Sequence, residues 1–160
     1  YVNEQTTEKI KGQYQYLAKQ TEARSSYDLG EFEPTVPGIL SIVPKSIIIT
    51  LYRPYLFEIN SPPLLLAGIE SLIALLLTLY VVFKVGLFKF IRALFSDNYL
   101  LFCLIFILSY SSIVGITSGN FGSLMRYKIP IMPYYFTILS VIYYTQKIKS
   151  KPAQAVIAEE

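Results

Sequence analysis

After Pro62 the chain alternates long apolar runs with short charged clusters, a pattern that predicts membrane-crossing helices. Leu64 to Phe83 is the clearest run, opened by Pro62-Pro63 and closed by Lys84. Tyr99 to Thr117 is the second, entered through Ser96-Asp97-Asn98, whose side chains suit a helix start. Ile129 to about Tyr144 is the third and shortest; it crosses if Thr145 and Gln146 occupy the far interface and Lys147 snorkels, which extends the region to 146.

Upstream the pattern changes. Residues 35–61 are apolar but interrupted by Pro37, Gly38, Pro44 and Pro54, with Lys45 and Arg53 between them. Prolines remove backbone donors and mid-bilayer charge is costly, so this stretch predicts short helices lying in the interface or entering it partway. A kinked fourth span over 39–58 is the alternative. Residues 1–34 are polar: six carboxylates (Glu4, Glu8, Glu22, Asp28, Glu31, Glu33) against four cations (Lys9, Lys11, Lys19, Arg24) leave −2. Ile10, Tyr14, Leu17 and Ala18 follow helical spacing, a narrow stripe for a membrane surface or a neighbour, and Ser25 to Gly30 ends that helix.

Composition agrees with lipid as the solvent: 53% of the 160 residues are hydrophobic and mean hydropathy is +0.45. The expected fold is therefore an all-α integral membrane protein with three transmembrane helices, preceded by interfacial helices and an N-terminal polar helix. With Tyr1 in place of an initiating Met and a polar, frayed tail over 147–160, the chain reads as the C-terminal fragment of a longer multi-pass protein. Basic residues set the orientation. Lys84, Lys89 and Arg92 follow the first run and Lys147, Lys149 and Lys151 the last, which places both regions and the C-terminus on the cytoplasmic side and residues 1–34 outside.

The chain has no histidine and one cysteine, Cys103, inside an apolar run. Within it this excludes His-dependent nucleophilic triads, His-ligated metal and an intrachain disulfide; no metal or cofactor is expected, nor a nucleic-acid partner. What remains is carboxylates, Lys, Arg, Tyr and hydroxyls. Ser118-Gly-Asn-Phe-Gly-Ser-Leu-Met-Arg-Tyr-Lys-Ile-Pro-Ile-Met-Pro133 runs a Gly-rich loop into a helix start, with Arg126 and Lys128 just ahead of it on the outer side. Free N–H groups and two cations suit phosphate, whereas simple snorkelling to headgroups is the alternative. Asn120, Arg126 and Lys128 are the candidate ligands here, joined by Arg53 from Arg53-Pro-Tyr-Leu-Phe-Glu58. Glu58 and Glu70 are the candidate catalytic carboxylates. Glu58 also suits an ion pair with Arg53 or Arg126. Arg53, Arg126 and Lys128 are expected to converge at the outer face on a diphosphate, with Glu70, roughly 9 Å into the first run, beneath them as partner or proton carrier; the alternative for Glu70 is a structural pair with Arg126 or a hydroxyl of the second run. Ser111, Gly115 and Gly119 form a small-residue face expected to pack on the first or third run. Fourteen tyrosines and no tryptophan leave Tyr to supply the interfacial belt, including Tyr52, Tyr80, Tyr99, Tyr127 and Tyr144.

Together, Tyr52-Arg-Pro-Tyr-Leu-Phe-Glu58 with Glu70, and Gly119 to Pro133, resemble a poorly characterised family of bacterial inner-membrane proteins found with exopolysaccharide and O-antigen glycosyltransferases. The resemblance covers about residues 25 to 146. It implies a Bacteroidetes-like source and work on lipid-linked glycans, as part of a glycosyltransferase or polymerase acting on polyprenyl-linked sugars at the outer face. A non-catalytic flippase-like or scaffold subunit is the alternative. Implied partners are membrane lipid, a polyprenyl-diphosphate-linked glycan and upstream spans; no catalytic residue carries over.

Overall fold

The computed structural model describes Gln5, Thr6, Glu8, Lys9, Lys11, Gly12, Tyr27, Leu29, Gly30, residues 35–59 and residues 61–157, with side chains as far as Ile148. The stripe expected at Ile10, Tyr14, Leu17 and Ala18 lies outside the described residues. The described chain is all-helical: α1 Val36–Tyr52, α2 Pro62–Val85, α3 Leu87–Ser96, α4 Asn98–Thr117, α5 Phe121–Tyr127 and α6 Met132–Ile157, with 3₁₀ turns at Leu56–Glu58 and Ile129–Ile131. Among the described residues two helices, α2 and α4, are long and apolar enough to cross a membrane, with mean hydropathy 2.3 in each.

Local chemistry sets the boundaries. Thr35 caps α1 by accepting the Gly38 N–H at 3.1 Å, and Asp97 caps α4 by accepting from Tyr99 and Leu100, as Ser96-Asp97-Asn98 leads one to expect. Gly86, at φ 88°, ends α2 one residue beyond Lys84 and turns the chain into α3. The sequence reading treated 86–96 only as a connection; α3 is a helix whose Leu94 is buried. The tail is not frayed at Lys147, since α6 continues to Ile157.

The prolines of 35–61 do not break the chain into short helices. Val36–Tyr52 is one helix with Pro44 inside it, and Pro37 sits in the first turn, where no N–H acceptor is lost. Helices α2 and α4 both pack against α1 and α6. Against α4, α1 runs antiparallel: Ser46 meets Gly115, while Thr50 Oγ1 donates to the Ser111 carbonyl at 3.0 Å. The small-residue face of α4 thus packs on α1, not on the first or third apolar run. At Gly115 a Cβ would lie 2.5 Å from the Ser46 carbonyl oxygen, so only glycine allows this approach. Tyr27 closes the contact by donating to the Gly115 carbonyl at 2.7 Å.

Beyond Tyr52 the chain reverses. The Arg53 carbonyl accepts from Ser71 of α2, and Ile59 packs against Gly68, so residues 53–59 run back along α2 towards its first turn. Ser71 stands nine residues into α2, about 13 Å from its start at 1.5 Å per residue. Helix α1 and its return segment therefore form a hairpin whose tip lies well inside the helical layer.

Candidate functional site

The hairpin tip meets the turn before α6. Arg53 is held by Glu58, which accepts from its Nε at 3.0 Å and pairs with Nη2 as well; the same carboxylate accepts the Tyr55 N–H at 2.9 Å. The Arg53 guanidinium lies 5.2 Å from the centre of the Phe121 ring and 5.6 Å from that of Tyr55. Glu58 thus chooses Arg53, not Arg126, of the two partners the sequence offers.

Lys128 is the most unusual residue of the molecule. Its side chain is 1% exposed, and its Nζ donates to Ser71 Oγ at 2.8 Å and stands 3.7 Å from Glu70 Oε1. Ser71 passes the connection on by donating to the Arg53 carbonyl at 3.0 Å. One network therefore links Glu70, Lys128, Ser71, Arg53 and Glu58. Burial pushes the Lys128 ammonium below its usual range, and Glu70 opposes that shift. The expected order is reversed: the cation is buried, whereas the Glu70 side chain is 43% exposed and takes Lys128 as partner in place of Arg126 or a hydroxyl of α4.

Two candidates stand apart. Asn120 is used as the cap of α5, accepting the Ser123 N–H at 2.8 Å. Arg126 is exposed, and among the described residues no ion pair or hydrogen bond engages its side chain. At 100° per residue it faces away from Phe121, Leu124 and Lys128, the buried side of α5. Arg53, Arg126 and Lys128 accordingly do not converge.

Ser71 and Tyr135 were missed by sequence reading. Tyr135 is buried, contacts the Thr78 hydroxyl, donates to the Ala74 carbonyl at 3.1 Å and meets Tyr52 edge-on, one to two turns beyond Ser71. Lys128 and Tyr135 lie on either side of the Ile129–Ile131 turn, so helical spacing gave no signal for Tyr135. Tyr52 accordingly turns inward and leaves the belt, while Tyr80, Tyr99, Tyr127 and Tyr144 are exposed. No family model, curated protein or solved structure matches the chain. The site must be read from its own chemistry.

That chemistry is a pair of matched charges. Lys128, buried, and Arg53, half-buried, each have a carboxylate partner, so an incoming anion would compete with Glu70 or Glu58. Glu58 holds three contacts, whereas Glu70 holds one at 3.7 Å and reaches solvent. Glu70 is therefore the more weakly held of the two carboxylates.

Proposed function

We propose that this chain is part of a multi-pass bacterial inner-membrane protein of surface polysaccharide assembly, and that the Lys128–Ser71–Arg53 network engages the phosphate of a polyprenyl-linked sugar. The carrying observation is the near-complete burial of Lys128 where Ser71 joins it to the hairpin tip at Arg53. Ionisable side chains at such depth are costly, and irregular backbone inside a membrane is tolerated where it is packed in protein or lines a ligand path.

Lipid as solvent is supported by the faces that nothing covers: only 28% of the apolar window of α2 and 39% of that of α4 is buried. A core helix of a soluble protein would be mostly enclosed, whereas α2 exposes Leu66, Ile73 and Leu76. In this reading α2, α4 and α6 are three spans, α1 enters partway from the outer side, and the C-terminus is cytoplasmic. The glycan substrate follows from the resemblance of the Arg53–Glu58 and Gly119–Pro133 stretches. Sugar transfer or polymerisation needs a proton acceptor, for which Glu70 is the available carboxylate. The matched charges favour a second reading, a transport or scaffold subunit in which both ion pairs only hold the hairpin.

Binding of a polyprenyl diphosphate to purified protein tests the choice at matched membrane abundance. Lys128→Met is expected to weaken binding about tenfold or more, the worth of one charge-assisted contact. Arg126→Ala, on the opposite face of α5, is expected to leave it unchanged. Wild-type binding in both Lys128→Met and Arg53→Lys would remove the phosphate site and leave the scaffold reading.

A further inference from the structure

The other end of the helical layer carries a second charged feature, unconnected with the Lys128 network. Two clefts of about 250 Å³ and about 380 Å³ adjoin there, sharing Lys89 and Gln146 in their walls. Lys84 and Lys147 line the first and Arg92 the second, and among the described residues no carboxylate lines either. Among the described residues, no acid pairs with Lys84, Lys89 or Arg92. Like charges gathered without counter-charge raise the local potential and call for an anion.

Helix α3 narrows the anion's source. Leu87, Phe88, Ile91 and Phe95 fall within about 100° of one another around its axis, and all are exposed, Phe88 at 89%. Phe90 and Leu94 adjoin this face on the Leu87 side and pack into the core. Lys89, Arg92 and Ser96 border the uncovered apolar face on its far side. Such a helix, with an uncovered apolar face beside a row of cations, suits the boundary between acyl chains and headgroups. The cations at its edge then stand at phosphate level, as do Lys84 at the end of α2 and Lys147 on α6.

We propose that this groove binds the phosphate of an anionic phospholipid, with α3 seated in the acyl layer of the same leaflet. The proposal rests on the membrane reading above and is independent of the polyprenyl site. Phosphatidylglycerol fits both halves of the surface: a phosphate within reach of Lys84, Lys89 and Arg92, and acyl chains against Leu87, Phe88, Ile91 and Phe95. A free phosphate would satisfy only the first.

Purified full-length chain in detergent is titrated with short-chain phosphatidylglycerol, with phosphatidylcholine of the same chain length, and with inorganic pyrophosphate, following the unfolding temperature. Phosphatidylglycerol alone is expected to raise it. Near an anionic surface each basic residue strengthens binding about fivefold, so Lys84→Gln, Lys89→Gln and Arg92→Gln together should weaken it on the order of 100-fold. Where that triple variant fails to fold, Lys89→Gln alone, shared by both clefts, should weaken it about fivefold. Equal shifts with phosphatidylcholine, or full binding by the variants, would overturn the site. An equal shift with pyrophosphate would overturn the lipid assignment. Release of the chain from membranes by alkaline carbonate would instead defeat the membrane reading, a result that lipid titration in detergent does not depend on.

Discussion

Lys128 shows how a single residue sets stability and function against each other. A buried ion pair often contributes less than an apolar side chain of equal volume, because desolvation offsets the attraction. Lys128→Met keeps the stem, removes the charge and is expected to match or exceed the wild type in unfolding temperature at neutral pH, while losing phosphate binding. Glu70→Gln removes the partner and leaves the buried cation; since the Glu70 side chain is 43% exposed, solvent limits the loss to about 1 kcal/mol. The pH dependence has a definite sign. The folded Lys128 titrates below its ordinary value of 10.5, so between the two the unfolded chain holds more protons and stability rises with pH. Unfolding measured from neutral pH towards 10.5 should therefore show the wild type gaining on Lys128→Met. A gap that is constant over this range would mean that burial does not disfavour the Lys128 charge.

Among the elements, α1 and α4 are joined by a close approach of backbone to backbone at Gly115. The neighbour of Gly115 is backbone, the Ser46 carbonyl, with Thr50 Oγ1 2.8 Å from the same point. Neither can swing aside, so Gly115→Ala must push the helices apart and weaken the Thr50-to-Ser111 hydrogen bond. Overpacking of this kind costs about 1–3 kcal/mol. Gly12→Ala, with nothing within 4 Å, provides the control. Protease resistance of purified protein, read around residues 36–59, should fall in Gly115→Ala alone; unchanged resistance would mean that α1 is not held by this face. Pro44 is followed by Thr50, whose hydroxyl donates to the Ser111 carbonyl and ties the end of α1 to α4.

For the whole molecule, the proposed threading is open to a direct test. In a Cys103→Ser background, single cysteines at Ser25, Ser96 and Ser150 are exposed to an impermeant thiol reagent in intact cells. Labelling of Ser25→Cys alone is expected; labelling of the other two alone would reverse the orientation. What sequence alone determined is what depends on neighbours along the chain. Run length and hydropathy located α2 and α4, and the short polar side chain of Asp97 marked where α4 begins. Arg53, Glu58, Glu70 and Lys128 were legible as charges in an apolar setting. Their pairing was not, because it depends on the reversal after Tyr52, where the return segment lies along α2 and brings residues 53 and 128 to Ser71. Nor was the burial of Lys128 in preference to Arg126, two residues apart, since only packing decides which face of α5 meets α2. Helix α3 was hidden for a related reason: its ten residues carry two cations and an apolar face that stays uncovered, so a reading by run length passes over it. Local composition dictates which segments leave water, whereas the partner of each buried charge is settled by contacts between segments distant in sequence.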